Sequence, residues 1–177
     1  TKLRWSYAAS KMIDEFIALS LYEEEKISPI IVRLFNIIGP NQLSKYGMVV
    51  PKFIEAALKD EDITIHGDGS QSRSFTWVDD VVNYLIKLAE IKPYGEIFNI
   101  GQTEEITIKD LAELVISKTN SNSQIIYKSH EDVFGKAFED PKRRTPGIDK
   151  IIEFTGIKPT KNIDFMIENI IDFKKNK

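Results

Sequence analysis

Apolar side chains at Ile13, Phe16, Ile17 and Leu21 fall three or four residues apart, a spacing that places them on one face of a helix. Ser28-Pro29 breaks that pattern, and residues 30–35 form a mostly apolar run rich in β-branched side chains, as suits a strand buried on both faces of a parallel sheet. Helix followed by buried strand is the second half of a βαβ unit. Residues 36–42, with Gly39-Pro40-Asn41, then read as a loop leaving the carboxyl end of the strand, where open α/β sheets place their ligands. Val50, Phe53, Ile54, Ala57 and Leu58 mark the apolar side of a helix over Val49–Leu58, with Pro51 in its first turn.

Further on, a strand at Ile63–His66 and a strand-like run at 73–77 flank a turn over 67–71. Gly67-Asp68-Gly69 is such a turn and no dinucleotide fingerprint, because a strand follows it where the fingerprint needs a helix. A helix over 78–89 opens on Asp79 and Asp80, suited to the positive N-terminal end, and Pro93-Tyr94-Gly95 ends it. A short strand and turn at 96–101 precede a helix over 107–118, entered through the capping-like Thr107-Ile108-Lys109-Asp110. After the polar turn 120–123 come a strand at 124–128 and a loop over 134–146 rich in Gly, Pro and charge, the kind of segment that often binds. Helices at Asp149–Thr155 and 163–173 close the chain, with a frayed tail after them and no internal repeat.

Composition narrows the classes. The 177 residues are 42% hydrophobic, enough for a core of one domain or part of one. A net charge of -3 with scattered basic residues gives no nucleic-acid footprint, and no apolar run approaches the ~20 residues of a membrane span. The default expectation is a soluble, cytoplasmic protein. With no cysteine there is no disulfide or thiolate site, and His66 and His130 are too few and too far apart for a metal cluster, so no metal site is expected.

The candidate chemistry lies at the start of the chain. Tyr7 and Lys11 are four apart, so on a helix they share a face one turn apart. A phenol is a poor base near neutral pH, and a neighbouring ammonium favours the phenolate that could serve as general base. Tyr22 and Lys26 repeat the spacing, but with three glutamates between them they read as a solvated last turn. Ala8, Ala9 and Ser10 leave room beside the first pair for a ligand or another backbone.

Three ordered motifs, Tyr7-Ala8-Ala9-Ser10-Lys11, then Arg33-Leu34-Phe35-Asn36-Ile37-Ile38-Gly39-Pro40, then Gly67-Asp68-Gly69-Ser70-Gln71-Ser72-Arg73-Ser74-Phe75, resemble the extended short-chain dehydrogenase/reductase family. The likeness is greatest to its nucleotide-sugar epimerases, dehydratases and decarboxylases. It covers essentially the whole chain but only the second half of the family's usual protein, so the chain reads as a fragment lacking the first strands and the glycine fingerprint. The resemblance implies a catalytic Tyr7, with Lys11 on the nicotinamide ribose and Phe35 also against the NAD cofactor. It implies substrate contacts from Asn36, Val50, Pro51, Phe53, Ile65, Arg73 and Arg144, Arg143 being the alternative to the last. The bland alternatives are that Asn36 only caps the strand end and that Phe53 is ordinary core. Pro146-Gly147 departs from the family's Pro-Asp at that turn.

The expected architecture is α/β: part of a doubly wound, Rossmann-type parallel sheet from about 1–48 and 74–108, with a smaller substrate-binding lobe from about 49–73 and 109–177. An unpaired sheet edge or an apolar patch should be exposed unless another chain covers it. For the full-length enzyme the resemblance implies a homodimer and an NAD-dependent 4-epimerase of a UDP- or dTDP-linked hexose, working through a 4-keto sugar. The alternatives are a 4,6-dehydratase or a UDP-glucuronate decarboxylase, whose loop the residues around 134–144 resemble. A reading of another class is an inert nucleotide-sugar-binding fragment with weak or absent NAD binding.

Overall fold

The computed structural model describes residues 5–45, 48–129 and 141–176. Arg4, His130, residues 134–140 of the expected binding loop, and Lys177 lie outside them.

The first helix, α1 (Ser6–Glu23), leads into strand β1 (Ile31–Leu34), which pairs in parallel with β6 (Ile97–Ile100). In α1 no residue is buried, and Met12, Ile13, Phe16 and Ile17 are all more than half exposed. The apolar stripe expected from the sequence is present, but nothing among the described residues covers it. Likewise β1 pairs with β6 alone among the described residues, and its Arg33 and Leu34 are exposed. That corrects the expectation of a strand buried on both faces: Ile31 and Val32 are only partly covered, and Arg33 and Leu34, one on each face, reach solvent at the end of the strand. The exposed edge and patch are borne out.

Beyond β1 the chain forms β2 (Ile37–Ile38), parallel to β5 (Thr76–Trp77), and then α2 (Val49–Leu58), with the limits read from its apolar spacing. Strand β3 (Ile63–His66) pairs in parallel with β8 (Ile125–Lys128). The turn after β3 joins it to β4 (Ser72–Ser74), but the two do not pair as a hairpin. Instead β4 is the middle strand of a three-stranded sheet, antiparallel to β7 (Glu105–Thr107) and parallel to β9 (Arg143–Arg144). Helices α3 (Val78–Ile91), α4 (Ile108–Thr119), α5 (Asp149–Thr155) and α6 (Ile163–Lys175) complete the molecule. The cap read at Thr107 is made: its Oγ1 accepts from the Asp110 N–H at 3.0 Å, as Asn162 Oδ1 does from Phe165 at α6.

Two apolar cores result. The larger gathers α2, β3, α4 and α6 around Ile54, Ile63, Leu111 and Ile167. The smaller gathers α3 and β6 around Tyr84, Leu88, Phe98 and Ile100. Helix α5, grouped by sequence with the substrate lobe, packs through Ile151 into this second core. Asp80 lies in the first turn of α3, as the sequence predicts for it or Asp79; it is also buried and accepts from the Thr160 N–H (3.1 Å) and hydroxyl (2.9 Å), tying α3 to the α5–α6 connection. Among the described residues, no helix is long and apolar enough to cross a membrane and no group of three acidic or histidine side chains could hold a metal ion.

Candidate active site

The site is built where α1 begins and β1 ends. Arg33, third in β1, donates from Nε (2.7 Å) and Nη2 (2.5 Å) to the two carboxylate oxygens of Glu15 in mid-helix. The guanidinium holds the Glu15 carboxyl below its usual range, and Glu15 in turn raises Arg33. Lower on the same helix, the Tyr22 ring lies against Gly95, where a Cβ would collide with it. These two contacts fix the helix on the strand. Tyr7 and Lys11 lie in the first turns of α1, Tyr7 eight residues before Glu15, about 12 Å away along the helix axis. Tyr7 is 72% exposed. The Lys11 ammonium lies 2.7 Å from Asp14, which raises its pKa first by hydrogen bond and then by charge, with Tyr7 a smaller contributor. Asp14 is thus the nearer partner of Lys11, a neighbour the sequence reading did not single out.

Phe35 and Asn36 follow β1 directly. The Phe35 N–H donates to Ile100 O and its carbonyl accepts from Thr76 Oγ1, each at 3.0 Å, so the β1–β6 and β2–β5 sheets meet here. Asn36 takes a left-handed backbone, φ 35°, a region asparagine tolerates better than most residues. Its amide donates to Ser74 O at 2.8 Å, and its Oδ1 accepts from Arg144 Nη2. The amide nitrogen thus ties the strand end to β4, and the amide oxygen is held by Arg144.

Arg144 reaches Asn36 because β9 runs beside β4 in register, Arg143 opposite Ser72 and Arg144 opposite Arg73. Side chains alternate between faces of a sheet, so the Arg73–Arg144 pair belongs to one face and the Ser72–Arg143 pair to the other. On that other face Glu105 of β7 accepts from Arg143 Nε and Nη2 at 2.8 and 2.6 Å and from Ser72 Oγ at 2.6 Å. The Arg143 guanidinium, with Ser72, pulls the Glu105 carboxyl down to about 2. After β9, Pro146 packs on Gly101 beside Phe35, at a point too close for a Cβ, and Asn99 Nδ2 donates to Gly147 O at 3.2 Å.

Asn36, Arg73 and Arg144 are thus brought together, with Phe35 adjacent. Val50, Phe53 and Ile65 are buried at 5% exposure or less within the larger core, and Pro51 is buried with them, so the ordinary packing reading accounts for what these side chains touch here. An open depression beside the carboxyl end of β2 is lined by residues 37–42 and Val78. Glu105, Ser72 and the Glu15–Arg33 pair escaped the sequence reading because their significance depends on strand pairing and helix docking that no spacing reveals.

Parallel β-strands alternating with helices define a Rossmann-type α/β fold. Comparison with known proteins agrees: the model of the NAD dependent epimerase/dehydratase family matches residues 1–101, and the chain belongs to that family. It is 38% identical over 160 residues to the UDP-N-acetyl-alpha-D-glucosaminuronate decarboxylase of Bacillus cytotoxicus, an alignment covering 90% of this chain and 50% of the relative. With UDP-glucuronic acid decarboxylase 4 of Arabidopsis thaliana it shares 32% over 157 residues, 89% of this chain and 34% of the relative. Among solved structures, UDP-glucuronic acid 4-epimerase from Bacillus cereus, in complex with UDP-glucuronic acid and NAD, superposes with a TM-score of 0.85 at 25% identity, over 96% of this chain and 52% of that one. The chain therefore spans about half the length, or less, of these relatives.

Proposed function

We propose that this chain carries the Tyr–Lys pair and the sugar-diphosphate contacts of an NAD-dependent enzyme acting on a UDP-linked uronic acid. The observation that carries the reading is the in-register Arg73–Arg144 pair beside Asn36 at the carboxyl edge. A guanidinium presents a planar fork of donors that matches the oxygens of a diphosphate, and two such forks on one face of the sheet beside Asn36 suit that ligand. The three relatives named above, two decarboxylases and an epimerase, all act by their names on UDP-linked uronic acids, which supports the substrate class.

In this reading Tyr7, exposed near the start of α1, takes the proton of the sugar C4 hydroxyl. Lys11 would hold the nicotinamide ribose of NAD with Phe35 beside it, and the cofactor would supply the acceptor for the C4 hydride. Oxidation at C4 makes the C5 carboxylate a β-keto acid. Its C5–C6 bond breaks with release of carbon dioxide, and the electron pair moves onto the enolate of the ketone. Protonation at C5 and return of hydride and proton to C4 then give a pentose. If the carboxylate is kept and hydride returns to the opposite face, the product is the 4-epimer, a second reading favoured by the likeness to the Bacillus cereus epimerase.

Proton NMR of the full-length protein with NAD and, in turn, UDP-glucuronate, UDP-glucose and UDP-N-acetylglucosamine tests this. A UDP-pentose anomeric signal is expected from UDP-glucuronate; a UDP-galacturonate signal would establish the second reading. Turnover of the neutral sugars alone would contradict the uronic-acid assignment.

A further inference from the structure

Arg143 and Arg144 are adjacent on β9, and only one of them reaches Asn36. What settles the choice is on the far face of the sheet. Glu105 joins all three strands, accepting from Arg143 on β9 and from Ser72 on β4, while its own strand β7 pairs with β4. Arg143 is thereby drawn away from the Asn36 side, and strand alternation then turns Arg144 toward it. Because β9 is only two residues long, its backbone pairing alone gives little hold on register or facing.

Resting on the reading that Arg73 and Arg144 grip a sugar diphosphate, we infer that Glu105 is a positioning residue for that grip: by holding Arg143 across the sheet, it sets which arginine of β9 faces the substrate. Glu105 itself touches no substrate and acts through Arg144.

The test is a double-mutant cycle on the full-length protein, reading UDP affinity by calorimetry. Arg144→Ala should weaken UDP binding about tenfold or more, and Glu105→Gln about fivefold to tenfold. In the Arg144→Ala background, Glu105→Gln should cost nothing further. The exchanged pair Glu105→Arg with Arg143→Glu should restore most of the affinity, which a merely structural loss would not allow. Should Glu105→Gln fail to fold, Arg143→Gln breaks the same link from its exposed side and is expected to show the same non-additivity. If wild type does not bind UDP, or Arg144→Ala binds it as tightly as wild type, the diphosphate reading fails and this inference with it. If Arg144→Ala weakens binding while Glu105→Gln does not, or if the two losses multiply, the inference alone is overturned.

Discussion

At the residue scale, two carboxylates show how partners set a role. Glu105 is held near a pKa of about 2, by Arg143 first and Ser72 second, so its interactions favour the folded state above the ordinary carboxylate range near 4.5. They are lost as pH falls through about 2. Thermal melts from pH 7 to pH 2 should therefore show an acid-limb loss of stability between about 4.5 and 2 that is smaller in Glu105→Gln; identical acid limbs would contradict the assigned pairing. Asp80 is the contrasting case, buried and accepting twice from Thr160. Asp80→Ala strands the Thr160 N–H and should cost about 1–3 kcal/mol in denaturant unfolding, against a near-zero cost if the residue only decorated the start of α3. Sequence placed both Asp79 and Asp80 at that start, and this was right for the backbone. It could not show that one would turn inward to a residue 80 positions away.

At the element scale, the site depends on how a helix and a loop are seated. The periodicity that gave α2 its limits, and the cap that gave α4 its beginning, are local, and local signals were legible. The loop expected to bind proved to contain β9, whose two exposed residues carry no strand-like pattern of their own; pairing with β4 makes it a strand. Past β9, Pro146 rests on Gly101 beside Phe35. A methyl group at residue 101 would meet the rigid proline ring, so Gly101→Ala should shift the loop that bears Arg144. The expected result is a loss of UDP affinity of about fivefold or more with a modest fall in Tm, read by calorimetry and thermal melting. Unchanged affinity would show that this seat does not position the arginine. Spacing put Tyr7 and Lys11 on one helix, as α1 has them, whereas the Glu15–Arg33 fork was not legible, since its two residues lie on different elements.

At the scale of the whole molecule, neither core includes a residue of α1, whose Met12, Ile13, Phe16 and Ile17 stay in solvent, and β1 pairs on one side only among the described residues. An apolar stripe of this kind beside an unpaired strand favours association. Sedimentation of these 177 residues alone should show self-association, reduced when Ile13 and Phe16 are both replaced by Glu; a monodisperse monomer would contradict that expectation. The division into cores was partly legible: alternation of helix and apolar strand announced an α/β fold, but the allegiance of α5 to α3 and β6 depends on packing at long range.

The central claim is that Tyr7 is the base at a sugar-diphosphate site formed by Asn36, Arg73 and Arg144. It is tested most directly by comparing wild-type and Tyr7→Phe full-length protein for turnover of UDP-glucuronate with NAD, by proton NMR, and for UDP-glucuronate affinity. Turnover should fall about 100-fold or more while affinity changes less than about threefold, the pattern of a group needed in the transition state and not in binding. Turnover retained in Tyr7→Phe would contradict it.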